Sequence, residues 1–541
     1  MLLLAGCPTE VPPAPPDVED PGTLSWGEEI ACAAPVNGLE GLVEMTGWSG
    51  LDQLPLGPVP PWGFISVVLA HDVDGDGDVD LVKGSVGAPR LALNDGTGRF
   101  EDAGDAWDPS IAPSGEPAPM QLADLDGDGL PELLTYDVGF LLVARNLGGG
   151  VFAEPDITEL RPEPDKWPLS IALSLGDADG DGDLDVAMGT DFSFDAPPSG
   201  PIGSIDMAPA PDLLLRNDDG VFVLDQLLRT TTGNARGLMA MWTDRDLDGD
   251  LDLLFGSDRG GTSPPTAFYR NDGDLRFEDD APDQHVNLPL SVMGGDARDL
   301  NEDGLLDYCV SDVGPLVCWL SDDAGYIESG TAMGLEPSHA DNPAVWSGWG
   351  LEFADLDLDG RDDLVGTGAI PGPPEGGSNP DDPALLEHPD AIWQATDDGY
   401  ALVPGLFDSP DDHWSVASAD FDGDGALELV TAGASSGLSY WDNRCTGRAW
   451  VAVELVGPPV NSEAYGARVQ VEAAGRTWLQ ELHGTRTAGQ SWSRLHFGLG
   501  DVDVIDVLTV TWPDGGELVV TDVPVRRFLT AVHPEGIAQA R

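Results

Sequence analysis

Positive charge is what this 541-residue chain lacks: 24 Lys and Arg face 97 Asp and Glu, a formal net charge of −73 at pH 7. So negative a field excludes sequence-independent nucleic-acid binding, which needs clustered cations against phosphates. It equally excludes adsorption to anionic lipid headgroups. No apolar run approaches the roughly 18 residues that a membrane-spanning helix needs. The eight histidines are scattered, with no pair at a helical metal-ligand spacing. Long helices are disfavoured too, because 69 Gly and 46 Pro interrupt the chain every few residues. Apolar material is not lacking: 41% of the residues are hydrophobic, enough for a substantial core, so acidity here does not mean disorder. The length suggests three or four domains of roughly 150 residues, or fewer if one is a large β assembly.

One acidic loop recurs in phase. Loop 1 reads Asp72-Val-Asp74-Gly-Asp76-Gly-Asp78-Val-Asp80, and loop 2 reads Asp124-Leu-Asp126-Gly-Asp128-Gly-Leu130-Pro-Glu132. Loop 3 is Asp177-Ala-Asp179-Gly-Asp181-Gly-Asp183-Leu-Asp185, and loop 4 is Asp244-Arg-Asp246-Leu-Asp248-Gly-Asp250-Leu-Asp252. Loop 5 is Asp299-Leu-Asn301-Glu-Asp303-Gly-Leu305-Leu-Asp307, and loop 6 is Asp355-Leu-Asp357-Leu-Asp359-Gly-Arg361-Asp-Asp363. Loop 7 is Asp420-Phe-Asp422-Gly-Asp424-Gly-Ala426-Leu-Glu428, and the mean spacing between loops is 58 residues. Side-chain oxygens at positions 1, 3, 5 and 9, a turning Gly at 6 and the backbone carbonyl of position 7 can wrap a hard cation. Ca²⁺ accepts six to eight oxygens in irregular geometry, which Mg²⁺ does not. Two carboxylates about 4 Å apart repel by about 4 kcal/mol at an effective dielectric near 20, so a cation relieves real strain. All the side-chain ligands but Asn301 are acidic, and up to seven Ca²⁺ ions are expected, one per loop.

An EF-hand needs an acid at position 12 and flanking helices. Position 12 is here Lys83, Thr135, Met188, Phe255, Val310, Gly366 and Thr431, none acidic. Each loop leads instead into a short apolar run stopped by Gly, such as Asp80-Leu-Val-Lys-Gly84 or Asp252-Leu-Leu-Phe-Gly256, which reads as a buried strand. Asn94-Asp-Gly-Thr-Gly-Arg-Phe100 and Asn271-Asp-Gly-Asp-Leu-Arg-Phe277 read as hairpin turns with an aromatic that packs inward.

These repeats resemble the FG-GAP/VCBS units of integrin-α-like β-propellers. The resemblance implies an all-β fold with about four strands per blade, and seven units imply a closed seven-bladed ring. After Cys445 the loops stop. Asn461, Tyr465-Gly-Ala-Arg-Val469, His496-Phe-Gly-Leu-Gly500 and Val510-Thr-Trp-Pro-Asp-Gly515 resemble the ASPIC/UnbV domain, which follows such propellers in proteins similar to cartilage acidic protein 1. The expected organisation is a leader and Pro-rich tether over 1–25, the propeller over 26–446 and a small β domain over 447–535.

Leu4-Ala5-Gly6-Cys7 resembles a bacterial lipobox, which implies a lipid anchor at Cys7 followed by an extended tether. Four cysteines remain, and an even number in an exported chain points to disulfides, with three connectivities open. Cys309 and Cys318 flank the turn Asp312-Val-Gly-Pro315 and face each other across a hairpin, which leaves Cys32 for Cys445.

No catalytic residue emerges. Gly433-Ala-Ser435-Ser-Gly437 matches a nucleophile-elbow pattern, but it lies between two short strands rather than at a strand-to-helix turn. The expectation is therefore an exported, monomeric, non-enzymatic module at the bacterial outer membrane, on the cell surface or outside the cell. Its calcium is structural, and it binds an extracellular protein or glycan through insertions such as Phe192–Pro211 and Pro371–Pro389. Its rivals are a polysaccharide hydrolase on a propeller platform and a calcium-stiffened spacer.

Overall fold

The short apolar runs behind the loops form strands, and they pack on both faces. In the computed structural model the described residues are 22–536, apart from 33, 37, 56–65, 85–87, 109–110, 112–118, 162–165, 195–207, 219, 259–262, 274, 323, 336–345, 369–389, 405–412, 434–435 and 485–488. Cys7, the insertion at 371–389, most of the one at 192–211 and Ser435 therefore lie outside the described residues.

The described residues form nine small sheets and almost no helix. Seven sheets each contain one loop, placed between the first and second strands. Sheet 1 uses Val67–His71, Asp80–Gly84, Arg90–Asn94 and Phe100–Asp105 in that order. Sheets 2 to 6 repeat the antiparallel pattern, opening on Met120–Ala123, Trp167–Gly176, Gly237–Thr243, Gly295–Arg298 and Gly348–Ala354. Sheet 7 takes Ser415–Ala419, Glu428–Gly433 and Gly437–Asp442, and its fourth strand, Val43–Glu44, comes from the N-terminal side of the chain. The structural unit thus begins one strand before the loop, not at the loop as the sequence repeat suggests.

The strand behind each loop is buried along its whole length, as Asp80–Gly84, Asp252–Ser257 and Glu428–Gly433 illustrate. Burial on both faces explains why these strands are continuous apolar runs rather than alternating ones. Opening strands of successive sheets lie side by side except between sheets 4 and 5, and that of sheet 7 packs against that of sheet 1. Sheets 4 and 5 share a core in which Met239, Met241 and Leu254 meet Ala297, Tyr308 and Val310.

The remaining two sheets form the C-terminal domain. One orders Thr23–Trp26, Arg527–Val532, Ala449–Val456 and Arg494–Gly500; the other orders Arg476–Glu481, Arg468–Ala473, Val504–Thr511 and Glu517–Pro524. Both expected boundaries are crossed. Thr23–Trp26, assigned to the tether and its edge, is an edge strand of the C-terminal domain. Gly489–Gln490, from that domain, adds a parallel strand to the inner edge of sheet 1. Gln490 is tied there by Leu122, whose N–H donates to Oε1 and whose carbonyl accepts from Nε2, both at 2.8 Å. Disulfides join Cys32 to Cys445 and Cys309 to Cys318, with Cα atoms 5.7 and 4.0 Å apart.

Candidate metal centres

All seven loops adopt one backbone shape. Position 4 is left-handed throughout, whether it is Gly75 (φ 83°), Gly127 (74°), Gly180 (73°) and Gly423 (74°) or Leu247 (63°), Glu302 (58°) and Leu358 (58°). Position 6 is a left-handed Gly in every loop, from Gly77 at 99° to Gly425 at 91°. The turn wraps the chain around the position 1 carboxylate, which accepts backbone N–H groups as an anion in a nest does. Gly75 and Gly77 donate to Asp72 at 2.8 and 2.9 Å, and Gly423 and Gly425 to Asp420 at 2.7 and 2.9 Å.

Position 9 closes the loop. The N–H of position 2 donates to it in loop 1 (Val73 to Asp80, 2.9 Å), loop 3 (Ala178 to Asp185, 2.9 Å) and loop 7 (Phe421 to Glu428, 2.8 Å). Its other oxygen takes an N–H from the end of the third strand, such as Asn94 to Asp80 or Asn271 to Asp252, both at 2.8 Å. Carboxylate oxygens then converge. Asp72, Asp74 and Asp80 place one each within 4.8 Å of the others, as do Asp124, Asp126 and Glu132, and Asp177, Asp179 and Asp185. In loops 4 and 6 the convergent trios are Asp244, Asp246 and Asp248, and Asp355, Asp357 and Asp359, without position 9.

Burial makes these charges costly. Desolvation pushes Asp80 and Glu132 up to about 7 and Asp185 up to about 8, against two backbone hydrogen bonds that pull each the other way. In loop 7 burial raises Asp420 to about 8 and holds Glu428 well above its ordinary value, with the neighbouring acids adding repulsion. Glu428 Oε1 is buried without a hydrogen-bond partner. An orphaned oxygen facing three further acids is what a site for a hard cation leaves when only protein atoms are counted, so these residues fit Ca²⁺. Positions 1, 3, 5 and 9 would hold it.

Sequence reading missed a second device on the same face. An Asn at the end of the third strand, which opens an Asn-Asp-Gly turn at Asn94 and Asn271 but not at Asn146 or Asn443, is buried and bridges two sheets. Asn94 Nδ2 donates to Val79 O in its own loop and to Phe421 O in loop 7, at 3.1 and 2.8 Å. Asn146 reaches Val73 O, Asn271 reaches Ala178 O and Asn443 reaches Leu356 O, at 2.8, 2.9 and 2.9 Å. Each acceptor is position 2 of the preceding loop. The signal was the recurrence of Asn at the end of the third strand, which a turn alone does not require.

The C-terminal domain is docked on the loop face. Glu463 accepts the N–H of Asp124 at 3.2 Å and pairs with His71 Nε2 at 3.0 Å. Arg468 Nη2 meets Asp244 Oδ2 at 2.8 Å, Arg476 meets Glu302 Oε1 at 2.8 Å and Arg448 Nη1 meets Asp357 Oδ1 at 3.0 Å. His496, inside the domain's own motif, stacks on Trp450 and hydrogen-bonds Gly425 O at 3.1 Å; burial lowers it to about 4, so it is a neutral packing residue. A polar cluster between the domain and sheets 5 to 7 includes Glu352, Glu481, His483 and Arg298, yet encloses only about 40 Å³. A wider cleft of about 520 Å³ opens between loops 1 and 2 and the domain, where Trp492, Phe528, Arg494 and Glu454 face Asp72 and Asp124.

Among the described residues no helix is long and apolar enough to cross a membrane. No curated protein is a significant match to the chain. Among solved structures, an Agrocybe aegerita lectin that recognises non-reducing terminal N-acetylglucosamine is similar at 16% identity, covering 68% of this chain and 85% of its own, with a TM-score of 0.40. The extracellular domain of a putative one-component system, BT4673, from B. thetaiotaomicron is similar at 8% identity over 92% of this chain and 58% of its own, with a TM-score of 0.39. The exotype rhamnogalacturonan lyase YesX is similar at 12% identity over 90% and 98%, with a TM-score of 0.33. At such identities and scores none of these likenesses bears on function. Family models are more specific: residues 72–135, from loop 1 to just past loop 2, match an FG-GAP-like repeat, and residues 457–538 match the ASPIC and UnbV domain. The chain therefore combines FG-GAP-like repeat architecture with a C-terminal ASPIC/UnbV domain.

Proposed function

We propose that the protein is an exported calcium-binding module whose seven sheets are the blades of a closed β-propeller, and that it binds an extracellular protein or glycan without catalysing a reaction. One observation carries the reading: seven loops share one left-handed turn geometry, and in loops 1, 2, 3, 4 and 6 three carboxylates converge within 4.8 Å of one another. Calcium is then structural, neutralising carboxylates that burial would otherwise leave protonated. Weak sites suffice outside a cell, where Kd values of about 10⁻⁴–10⁻³ M are filled. Two disulfides support export, since such bonds persist in oxidising compartments. Anchoring through Cys7 and a monomeric state belong to the same reading. The partner's place would be the cleft of about 520 Å³ beside loops 1 and 2, whose aromatic and acidic lining suits a sugar or a polar peptide.

The hydrolase alternative needs histidine and acid in an open pocket. Its best cluster, around His483 and Glu481, has room for a few water molecules and not for a polysaccharide. The deciding experiment is thermal unfolding with millimolar calcium and with chelator. A large rise in Tm on adding calcium is expected; equal Tm values would end the structural-calcium reading. A spacer without a ligand would instead show the rise and no binding on glycan and protein arrays.

A further inference from the structure

Loops 4 and 6 differ from the others in what already occupies their acids. Position 2 is apolar in loops 1, 2, 3, 5, 6 and 7 and is Arg245 in loop 4. Its Nε lies 3.2 Å from Asp252 Oδ2, an ion pair without hydrogen-bond geometry, at the position 9 carboxylate that the position 2 N–H serves in the six other loops. Asp280 pairs with its Nη2 at 2.5 Å and the Phe268 ring lies 4.9 Å from its guanidinium carbon. With 5% of its side chain exposed, Arg245 has no route into solvent. The other key acid, Asp244, is taken by Arg468 of the C-terminal domain at 2.8 Å, where both side chains are largely buried. In loop 6 both oxygens of Asp357 are engaged, Oδ1 by Arg448 at 3.0 Å and Oδ2 by Gln394 at 2.9 Å. A second bond from Arg448 to the Asp357 carbonyl, at 2.9 Å, fixes that guanidinium, and Arg361 adds a contact of 3.3 Å to Asp359. Loop 2 also meets an arginine, but Arg145 at Asp126 is 64% exposed and can swing away.

We propose that loops 4 and 6 take no divalent ion, because arginines fill their place. Arg245 and Arg468 each occupy an acid of loop 4 and Arg448 occupies one of loop 6, so the protein holds at most five calcium ions, at loops 1, 2, 3, 5 and 7. A dication entering loop 4 would have to displace buried Arg245 from its carboxylates, and one entering loop 6 would have to displace Arg448, which two hydrogen bonds hold on Asp357 although 37% of its side chain is exposed. Arg468 lies within the ASPIC/UnbV match and Arg448 just before the first strand of the same C-terminal domain, which therefore acts as a counter-ion for part of these acids.

This rests on the reading of the loops as cation sites, and the test separates the two. Native mass spectrometry of the folded full-length chain in calcium should count no more than five bound ions. In Arg245→Leu/Arg468→Gln, which gives loop 4 the apolar position 2 of loop 2, the count should rise by one, and in Arg448→Gln likewise. Six or seven ions in the unaltered protein, or a count that neither variant raises, overturns the inference while leaving the loops as calcium sites. No ions at all would overturn the functional reading itself. If the variants fail to fold, a calcium-soaked crystal of the unaltered protein decides: ion density is expected in loops 1 to 3 and absent from loops 4 and 6, and density in loop 4 or 6 refutes the proposal.

Discussion

Loops 3 and 4 lie in neighbouring sheets and carry acids at the same five positions, 1, 3, 5, 7 and 9, yet their charges are balanced by different means. In loop 3 the ordered contacts of Asp177 and Asp185 that stand out are backbone N–H groups, and burial leaves these acids raised to about 6 and about 8. In loop 4 burial raises Asp244 and Asp252 likewise to about 6 and about 8, but two guanidinium groups sit on these acids and pull the other way, one from the loop and one from another domain. Identical spacing thus encodes a turn, and what fills the turn depends on a few residues around it. The division runs around the structure. Loops 1 to 3 bring position 9 into the convergent trio and have Gly at position 4; loops 4 to 6 have Leu or Glu there and each meets one arginine of the C-terminal domain.

The sharpest way to break the comparison is Arg245→Leu. In chelator it leaves Asp252 and Asp280 buried without their main cation, and losing one partner of a buried pair costs about 3–5 kcal/mol. Urea unfolding should show that loss without calcium and, in Arg245→Leu/Arg468→Gln, where Asp244 is freed as well, a large recovery with it, because the emptied loop then accepts an ion. An equal loss in both conditions would mean that loop 4 cannot become a cation site.

Position 3 separates the two loops more gently. Asp179 and Asp246 both stand over their loops and neither is tied to the third strand by the hydrogen bonds that hold position 9. Asp179→Asn should cost up to about 2.7 kcal/mol when calcium stands at a hundred times its Kd, and nearly nothing in chelator. Asp246→Asn should be insensitive to calcium. Matching calcium dependence in the two variants would erase the distinction.

Acid should favour the metal-free protein. Asp80, Asp185 and Glu132 have folded-state values near 7, 8 and 7, raised first by burial, against ordinary values near 4. A raised acid gives stability that is complete below its unfolded value and is lost as pH rises through the folded one. Unfolding midpoints in chelator should therefore fall between pH 5 and pH 8. With saturating calcium the decline should vanish, since the ion holds the acids deprotonated. A decline of the same size with and without calcium would detach these carboxylates from metal binding.

Much of this was legible in the residues. The period of the loops, the unbroken apolar strands behind them and the motifs of the C-terminal domain required no long-range information. What was not legible was which distant residues share a space. Arg468 belongs to the stretch Tyr465-Gly-Ala-Arg-Val469, which marked a domain but gave no sign that its guanidinium would lie on Asp244. Thr23–Trp26 looked like the end of a tether, because a strand of four residues acquires its identity only from the partner Leu529–Val532. Arg245 was visible as the one charged residue at position 2, but its meaning needed Asp280, far along the chain in sheet 4.

The smallest test asks whether position 4 records the division or merely tolerates it. Leu247 and Gly180 occupy the same left-handed turn, at φ 63° and 73°. A Cβ at Gly180 would meet nothing within 4 Å, so Gly180→Leu adds only the backbone penalty of roughly 1–2 kcal/mol for a side chain in that region. Leu247→Gly removes the same penalty but gives the unfolded chain about 0.5–1 kcal/mol of freedom, so its net effect should be close to zero. Gly127 is the contrast: its Cβ would lie 2.7 Å from the Pro459 carbonyl, so a side chain there would push against the docked domain as well as strain the turn. Thermal unfolding of Gly180→Ala, Gly127→Ala and Leu247→Gly should rank Gly127→Ala as the most damaging and Leu247→Gly as the least. If Gly127→Ala proves no worse than Gly180→Ala, the domain does not press on loop 2, and glycine at position 4 of loops 1 to 3 answers to the turn alone.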